Sequence, residues 1–286
     1  MAVYKHTYQR YEGRLTPAWS RFLILPRYAL QQAFRSKFLI SLMVAGFAWP
    51  LGCAIVIYLH HNLSALKVLN MNPDRLMAID GHFFYLFLWV QSGIGFILTA
   101  FVGPGLVSPD LANNGLPLYL SRPFSRAEYV LGKLSVIAIL LSAITWLPGM
   151  FLFLLQCSLV GIGWCGNNLR VLMALLLGSW LWIACLSLFS LTLSAWVKWR
   201  FVAGALLFGI TSFANGIGAA INNIFTTKTG LLINLSEVMQ SVWSSLFGLD
   251  GKSTVAPEDA WRSLLAFCAI CLFLLSRKIR AYEVIK

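Results

Sequence analysis

The chain has 286 residues, of which 59% are hydrophobic and only 11% charged, and its mean hydropathy is +0.75. Soluble globular domains are about 45–50% apolar and about 25% charged, so this composition excludes a conventional soluble enzyme, a disordered tail and a disulfide-rich scaffold. The formal net charge of +12 arises from 22 lysines and arginines against 10 acids, a balance typical of basic loops on one side of a bilayer. The sequence therefore predicts an all-α, polytopic membrane protein.

The N-terminal segment, residues 1–37, precedes the first long apolar run and is rich in polar and basic residues. Within it, residues 26–37 place Leu30 and Phe34 on one side of a helix and Arg27 on the other. A basic amphipathic helix beside a span lies in the membrane interface. The pattern predicts either such an interfacial helix or a plain juxtamembrane extension.

Six segments are predicted to cross the membrane, because a helix needs about 20 apolar residues to span a hydrocarbon core. Five of them contain no Asp, Glu, Lys or Arg. The sixth is placed from Pro257, since proline suits the first helical position and the following Glu258 and Asp259 complement the helix dipole. The predicted spans cover residues 38–59, 82–103, 134–155, 171–197, 201–225 and 257–276.

The distribution of charge predicts the orientation of these spans. With six spans, both termini lie on one side, and the segments there hold 16 of the 22 basic residues and four of the 10 acids. The excess of Lys and Arg in short loops marks the cytoplasmic side, so both termini, including the basic tail 277–286, are expected in the cytoplasm. This places the chain in a cell (inner or plasma) membrane. Topology accounts for the whole basic excess, so no nucleic-acid partner is expected.

The outer segment between the fifth and sixth spans carries a second apolar stripe. Leu231, Leu235, Val238 and Val242 recur at helical spacing within residues 226–256. A seventh span here would move the basic tail to the outer side. The stripe therefore predicts an outer helix that is interfacial or partly re-entrant.

Two of the six cysteines, Cys157 and Cys165, share a short outer loop. Disulfides form in oxidising compartments. The pair is therefore either a disulfide or two free thiols.

The loop between the second and third spans is the most informative part of the chain. Ser125 and Glu128 form a capping box, and Phe124 and Tyr129 fit the hydrophobic staple around it, so the third helix is predicted to begin near Arg126. An apolar patch precedes this start on the inner side and needs a surface to cover it, whether lipid, the chain's own helix ends or a soluble partner. The patch consists of Leu116, Leu118, Tyr119 and Leu120.

This loop resembles the signature region of the type-2 ABC exporter permeases. That family has a short coupling helix after the second span, then a leucine-rich stretch, a Ser-Arg-Pro turn, Ser-Arg-x-Glu-Tyr, and Gly-Lys. The matching residues here are 118–123 (LYLSRP), 125–129 (SRAEY) and 132–133 (GK). One departure is the stretch 109–115 (PDLANNG), where the family usually has an acidic, charge-rich run. It implies docking that relies less on ion pairs, or a shorter or displaced coupling helix.

The resemblance implies a membrane-spanning permease subunit of an ATP-driven exporter rather than an enzyme. Two permease chains, as a homodimer or heterodimer, would form the path, and separate ABC ATPase subunits would bind ATP and magnesium below the loop 104–133. No cofactor is expected in this chain, which lacks a complete phosphate-binding loop. Arg122, Arg126 and Lys133 would anchor at lipid headgroups or at the partner. The residues assigned to ATPase coupling are Leu111, Leu116, Leu118, Tyr119, Leu120, Arg122, Pro123, Ser125, Arg126 and Glu128.

The resemblance also implies that the second and fifth spans line the transport path. Polar residues in those spans either face the path or form bonds between helices. They are Gln91, Ser92, Thr99, Thr211, Asn215 and Asn222. No charged residue occupies the middle of a span, which disfavours ion-coupled transport and favours an apolar or amphipathic cargo.

Two other classes of function remain open from the sequence. One is a non-transporting membrane scaffold that recruits an ATPase complex. The other is a membrane-embedded lipid-modifying enzyme, with a site formed at the outer ends of the first two spans by His60, His61, His82, Asp74 and Asp80. These five residues lack the spacing of a known metal motif and also fit a solvated loop.

Overall fold

The computed structural model describes residues 23–62, 64, 66, 76–113, 115, 125–225, 229–249 and 255–279. All regular secondary structure in these residues is helical. The α-helices are α1 (Ile24–Ala33), α2 (Lys37–His61), α3 (Gly81–Val102), α4 (Pro104–Ala112), α5 (Arg126–Ile144), α6 (Trp146–Val160), α7 (Ile162–Asn167), α8 (Leu169–Trp196), α9 (Arg200–Phe225), α10 (Leu235–Phe247) and α11 (Pro257–Lys278). A short 3₁₀-helix, Thr229–Ile233, lies between α9 and α10.

Six helical segments of the described chain are long and apolar enough to cross a membrane. Four are the single helices α2, α8, α9 and α11, and the other two are α3 with α4 and α5 with α6. The predicted spans lie within these segments to within one residue, and α11 begins at Pro257 as expected. The chain therefore has the architecture of a multi-pass membrane protein.

Helix α8 is the centre of the bundle. It packs against α3, α4, α5, α6, α9, α10 and α11. More than half of the residues in its most apolar stretch are buried inside the bundle. In α2, α9 and α11 only about a fifth of the residues in the corresponding apolar stretch are buried. Their outward faces carry large apolar side chains such as Val44, Phe213 and Leu265, which suits contact with lipid or another apolar surface.

The third spanning segment is broken at Thr145, which separates α5 from α6. The backbone of Thr145 leaves the helical region (φ −105°, ψ −90°), and its hydroxyl donates to the Leu141 carbonyl at 2.7 Å. Pro148 follows in the first turn of α6 and cannot donate an amide hydrogen to the Ile144 carbonyl. A proline three residues after a threonine whose hydroxyl bonds back to the preceding turn accounts for the break.

Helix α10 inserts between α3, α8 and α11. Trp243 is 1% exposed, and its indole nitrogen donates to the carbonyl of Gly178 at 3.1 Å. At about 1.5 Å per residue, Gly178 lies about 14 Å along α8 from Leu169, so the indole reaches well below the helix end. The stripe seen in the sequence thus forms a helix packed into the bundle.

The two ends of the bundle differ in charge. The basic end, as named here, is the end that carries the helix-terminal residues Lys37, Arg126, Arg200 and Lys278. Helix α1 lies there and packs against α5, with Leu25 and Ala29 towards the core and Arg27 exposed. The opposite end carries α7 and the end of α10, whose Ser245 and Leu246 carbonyls accept from Arg170 at the start of α8.

Candidate functional site

The candidate site is built around α4, which continues α3 almost without interruption. The single residue between them, Gly103, has helical angles (φ −59°, ψ −43°). A side chain at Gly103 would overlap the hydroxyl of Ser190 on α8, so glycine is required for this close approach. Pro104 then opens α4 as its first residue, where its missing amide costs nothing.

An ion pair joins α4 to the beginning of the third spanning segment. Lys133 Nζ lies 2.8 Å from Asp110 Oδ2, and the hydroxyl of Tyr129 donates to the same oxygen at 2.7 Å. The Lys133 side chain is 9% exposed and that of Asp110 is 18% exposed. Tyr129 is fully buried, so the three side chains form a largely desolvated cluster at the basic end.

The expected role of Lys133 as an anchor at lipid headgroups or at a partner is therefore wrong. Its ammonium group turns into the bundle and pairs with Asp110. The physical reason is that burying an ammonium group requires a carboxylate close by, and α4 brings one. Asp110 is the only acidic residue between positions 81 and 127, and this was the one feature of the sequence that could have indicated a partner for Lys133.

A second set of bonds joins α4 to the end of α8. The amides of Val107 and Ser108 donate to Ser194 Oγ at 3.1 and 2.9 Å, and Ser194 Oγ donates to the Pro104 carbonyl. The Ser108 hydroxyl in turn donates to the carbonyl of Val197 at 2.6 Å. Ser194, on a different helix, therefore bonds to both amide and carbonyl groups of the α4 backbone. No pattern in the sequence indicated this contact.

The capping box predicted at the start of the third span is confirmed. Ser125 Oγ accepts from the amide of Glu128, and Glu128 Oε2 accepts from the amide of Ser125 at 2.6 Å. Helix α5 begins at Arg126, which is exposed. The cap sets the direction in which α5 enters the bundle, one turn before Tyr129 and two turns before Lys133.

Most other residues assigned to ATPase coupling lie outside the described part of the chain. Leu111 belongs to the last turn of α4. The residues outside the described ranges are Leu116, Leu118, Tyr119, Leu120, Arg122 and Pro123, and also Phe124 of the expected staple.

The polar residues expected along the transport path divide into two groups. Gln91, Thr99 and Asn222 have partners within the chain: Gln91 donates to the Gly46 carbonyl, Thr99 to the Gly95 carbonyl, and Asn222 accepts from the Gly230 amide. Ser92, Thr211 and Asn215 line an open groove of about 580 Å³ between α3, α9 and α10. The hydroxyls of Ser92 and Thr211 also donate to the carbonyls of Trp89 and Leu207 in their own helices. That groove has no charged side chain in its lining.

The cysteines and histidines at the end opposite the basic end do not form one cluster. Cys157 and Cys165 are free thiols that lie next to each other, so a disulfide between them stays a prediction. Asp80 caps α3 by accepting from the amides of His82 and Phe83, and His61 contacts the side chain of Gln156 at 3.0 Å. These contacts give Asp80 and His61 structural roles at the helix ends.

Comparisons with protein families and with curated proteins found no relative of this chain. No protein-family model matches the chain, and no curated protein matches it either.

Proposed function

We propose that this chain is the permease subunit of an ATP-driven ABC exporter of the type-2 class, and that α4 is its coupling helix. Two such chains would pair in the cell membrane with their basic ends in the cytoplasm. Separate ATPase subunits, carrying ATP and magnesium, would dock on the loop between the second and third spans. On this proposal α1 lies in the inner interface and α10 is the outer, re-entrant helix.

The observation that carries the proposal is the double attachment of α4. The Asp110–Lys133 pair joins it to α5, and the Ser108–Ser194 bonds join it to α8. A force applied to the basic end of α4 would therefore move the beginning of the third spanning segment and the end of the fourth together. A coupling element has to pass a displacement into several spans in this way.

The groove between α3, α9 and α10 is a second observation that supports the proposal. It joins the second and fifth spanning segments and combines hydroxyl and amide groups with aromatic walls. A neutral, mixed lining suits an amphipathic cargo without net charge.

The proposal is tested by isolating the protein from native membranes in a mild detergent, with crosslinking at the inner loop, and identifying bound proteins by mass spectrometry. A stoichiometric ATPase subunit is the expected result. Its absence would contradict the proposal and favour a scaffold or a lipid-modifying enzyme.

Two variants locate the contact. Replacing Leu118 and Tyr119 by Asp should release the ATPase, because charge on an apolar docking patch is costly to bury. The control is Ile162→Asp, which places one such charge on a 90% exposed apolar residue at the opposite end and should leave the ATPase bound. Equal recovery of the ATPase with all variants would mean that the docking surface lies elsewhere.

A further inference from the structure

A cleft at the basic end is separate from the groove discussed above, and the proposed function assigns no ligand to it, although the Asp110–Lys133 pair lies in its lining. It has a volume of about 410 Å³ and lies where α1 meets α2, α3, α4 and the first residue of α9. Its lining combines apolar walls with hydrogen-bonding groups from α1 and charged groups from α4, α5 and α9.

The charged groups of the cleft leave one cation without a counter-ion. Lys133 and Asp110 reach the cleft but neutralise each other at 2.8 Å. Arg200 also lines it, and none of the carboxylates that the structure describes forms an ion pair with its guanidinium group. The described residues that line the cleft therefore carry a formal net charge of +1, from Lys133 and Arg200 against Asp110.

The position of Arg200 is set by the packing of α9. Gly204, one turn later, approaches the backbone of α3 so closely that an added Cβ would lie 2.8 Å from the Ala100 carbonyl. This contact holds the first turn of α9 beside the junction of α3 and α4. Arg200 is thus presented at the cleft by a fixed backbone.

The apolar part of the cleft is aromatic and open. The rings of Phe38 and Phe101 meet edge to face with centroids 4.8 Å apart, and each side chain is about half exposed. Leu39 and Leu106 form the floor. Tyr28 and Gln32 of α1 add hydrogen-bonding groups to the lining.

We propose that this cleft binds an anionic glycerophospholipid, with the phosphate at Arg200 and an acyl chain along Phe38 and Phe101. The ligand must carry negative charge because the cleft has an excess cation, and it must carry an apolar chain because one wall is aromatic. A basic pocket between spans at one membrane surface is a recognised setting for anionic headgroups. This inference does not rest on the proposed function, since it concerns lipid binding by the chain alone.

The test is native mass spectrometry of the full chain in a neutral detergent, titrated with phosphatidylglycerol or with phosphatidylcholine of the same acyl chains. One phosphatidylglycerol should be retained in preference to phosphatidylcholine. Arg200→Gln should weaken its binding about fivefold, the equivalent of about 1 kcal/mol for one arginine near a headgroup. The matched control is Lys198→Gln, which removes the same charge from an exposed residue two positions away that does not line the cleft.

Two further measurements distinguish binding of the whole lipid from binding of a phosphate ion alone. Inorganic phosphate in excess should not displace the bound lipid, and Phe101→Ala should weaken lipid retention without altering the elution of the protein on size exclusion. Displacement by phosphate would show a simple anion site. Equal retention of both lipids, or an equal loss with Lys198→Gln and Arg200→Gln, would overturn the proposal.

Discussion

Gln91 donates a hydrogen bond from its side-chain amide to the carbonyl of Gly46, with 2.9 Å between nitrogen and oxygen. Gly46 lies four residues before Pro50 in α2, and proline has no amide hydrogen for that carbonyl. A buried glutamine on α3 therefore replaces the helical bond that Pro50 removes from α2. For Gln91 the structure therefore shows the bond between helices that the sequence left open as the alternative to a place along a transport path.

The first prediction concerns this bond. Gln91→Leu should lower the free energy of unfolding by about 1 kcal/mol, because the Gly46 carbonyl loses its donor while the unpartnered Oε1 of Gln91 is removed as well. Pro50→Ala restores the amide, so the same substitution in that background should cost much less. Unfolding by SDS titration in mixed micelles measures all four proteins. Equal costs in both backgrounds would show that Gln91 does not compensate for Pro50.

The second prediction concerns the buried ion pair of α4 and α5. Asp110→Asn or Lys133→Met alone should destabilise the protein by about 3–5 kcal/mol, because each leaves an unpaired buried charge. The double variant should recover most of that loss, since no charge remains unpaired. The same unfolding measurement tests this.

The double variant at Asp110 and Lys133 also separates stability from coupling. If the proposed ATPase docks on this chain and α4 passes displacement through the ion pair, the double variant should still bind the ATPase, but binding should no longer change the rate of ATP hydrolysis. Normal coupling in a stable double variant would mean that the Ser108–Ser194 bonds are sufficient.

The third prediction concerns the insertion of α10. A Cβ at Gly178 would lie 2.8 Å from the Trp243 ring, which is buried and cannot withdraw. Gly178→Ala should therefore destabilise the protein by about 1–3 kcal/mol and shift tryptophan emission to longer wavelength. Gly93→Ala is the control, because open space surrounds that position and alanine favours the helix. Similar behaviour of the two variants would contradict the packing of Trp243.

The fourth prediction concerns two thiols between α8 and α11. The Sγ atoms of Cys185 and Cys268 are 3.6 Å apart, so a movement of about 1.5 Å brings them to disulfide distance. Oxidation by copper phenanthroline should link them within one chain, as peptide mapping by mass spectrometry would reveal. Cys271→Ala should leave the link intact, whereas Cys268→Ala should abolish it. Linkage that persists without Cys268 would mean that α11 packs differently.

The six spans and the start of α5 could be predicted because their signals are local. Each span is a run of apolar residues, and the capping box at Ser125 and Glu128 lies within four residues. Backbone groups in hydrocarbon must be satisfied inside the segment, so an apolar run of sufficient length forms a helix wherever its neighbours lie. Proline and acids at Pro257 and Glu258 marked the last helix for the same local reason.

The partners of the buried polar groups were decided only by the tertiary structure. Lys133 was expected to anchor at lipid headgroups or at a partner, yet it pairs with Asp110. Ser194 bonds to the backbone of α4 at Pro104, which lies 90 residues earlier in the chain. Trp243 likewise reaches Gly178 across 65 residues. Lipid gives a buried donor or acceptor no water as a partner, so its choice depends on which helices become neighbours. That arrangement follows from close approaches such as Gly103 with Ser190, whose fit depends on both helices together.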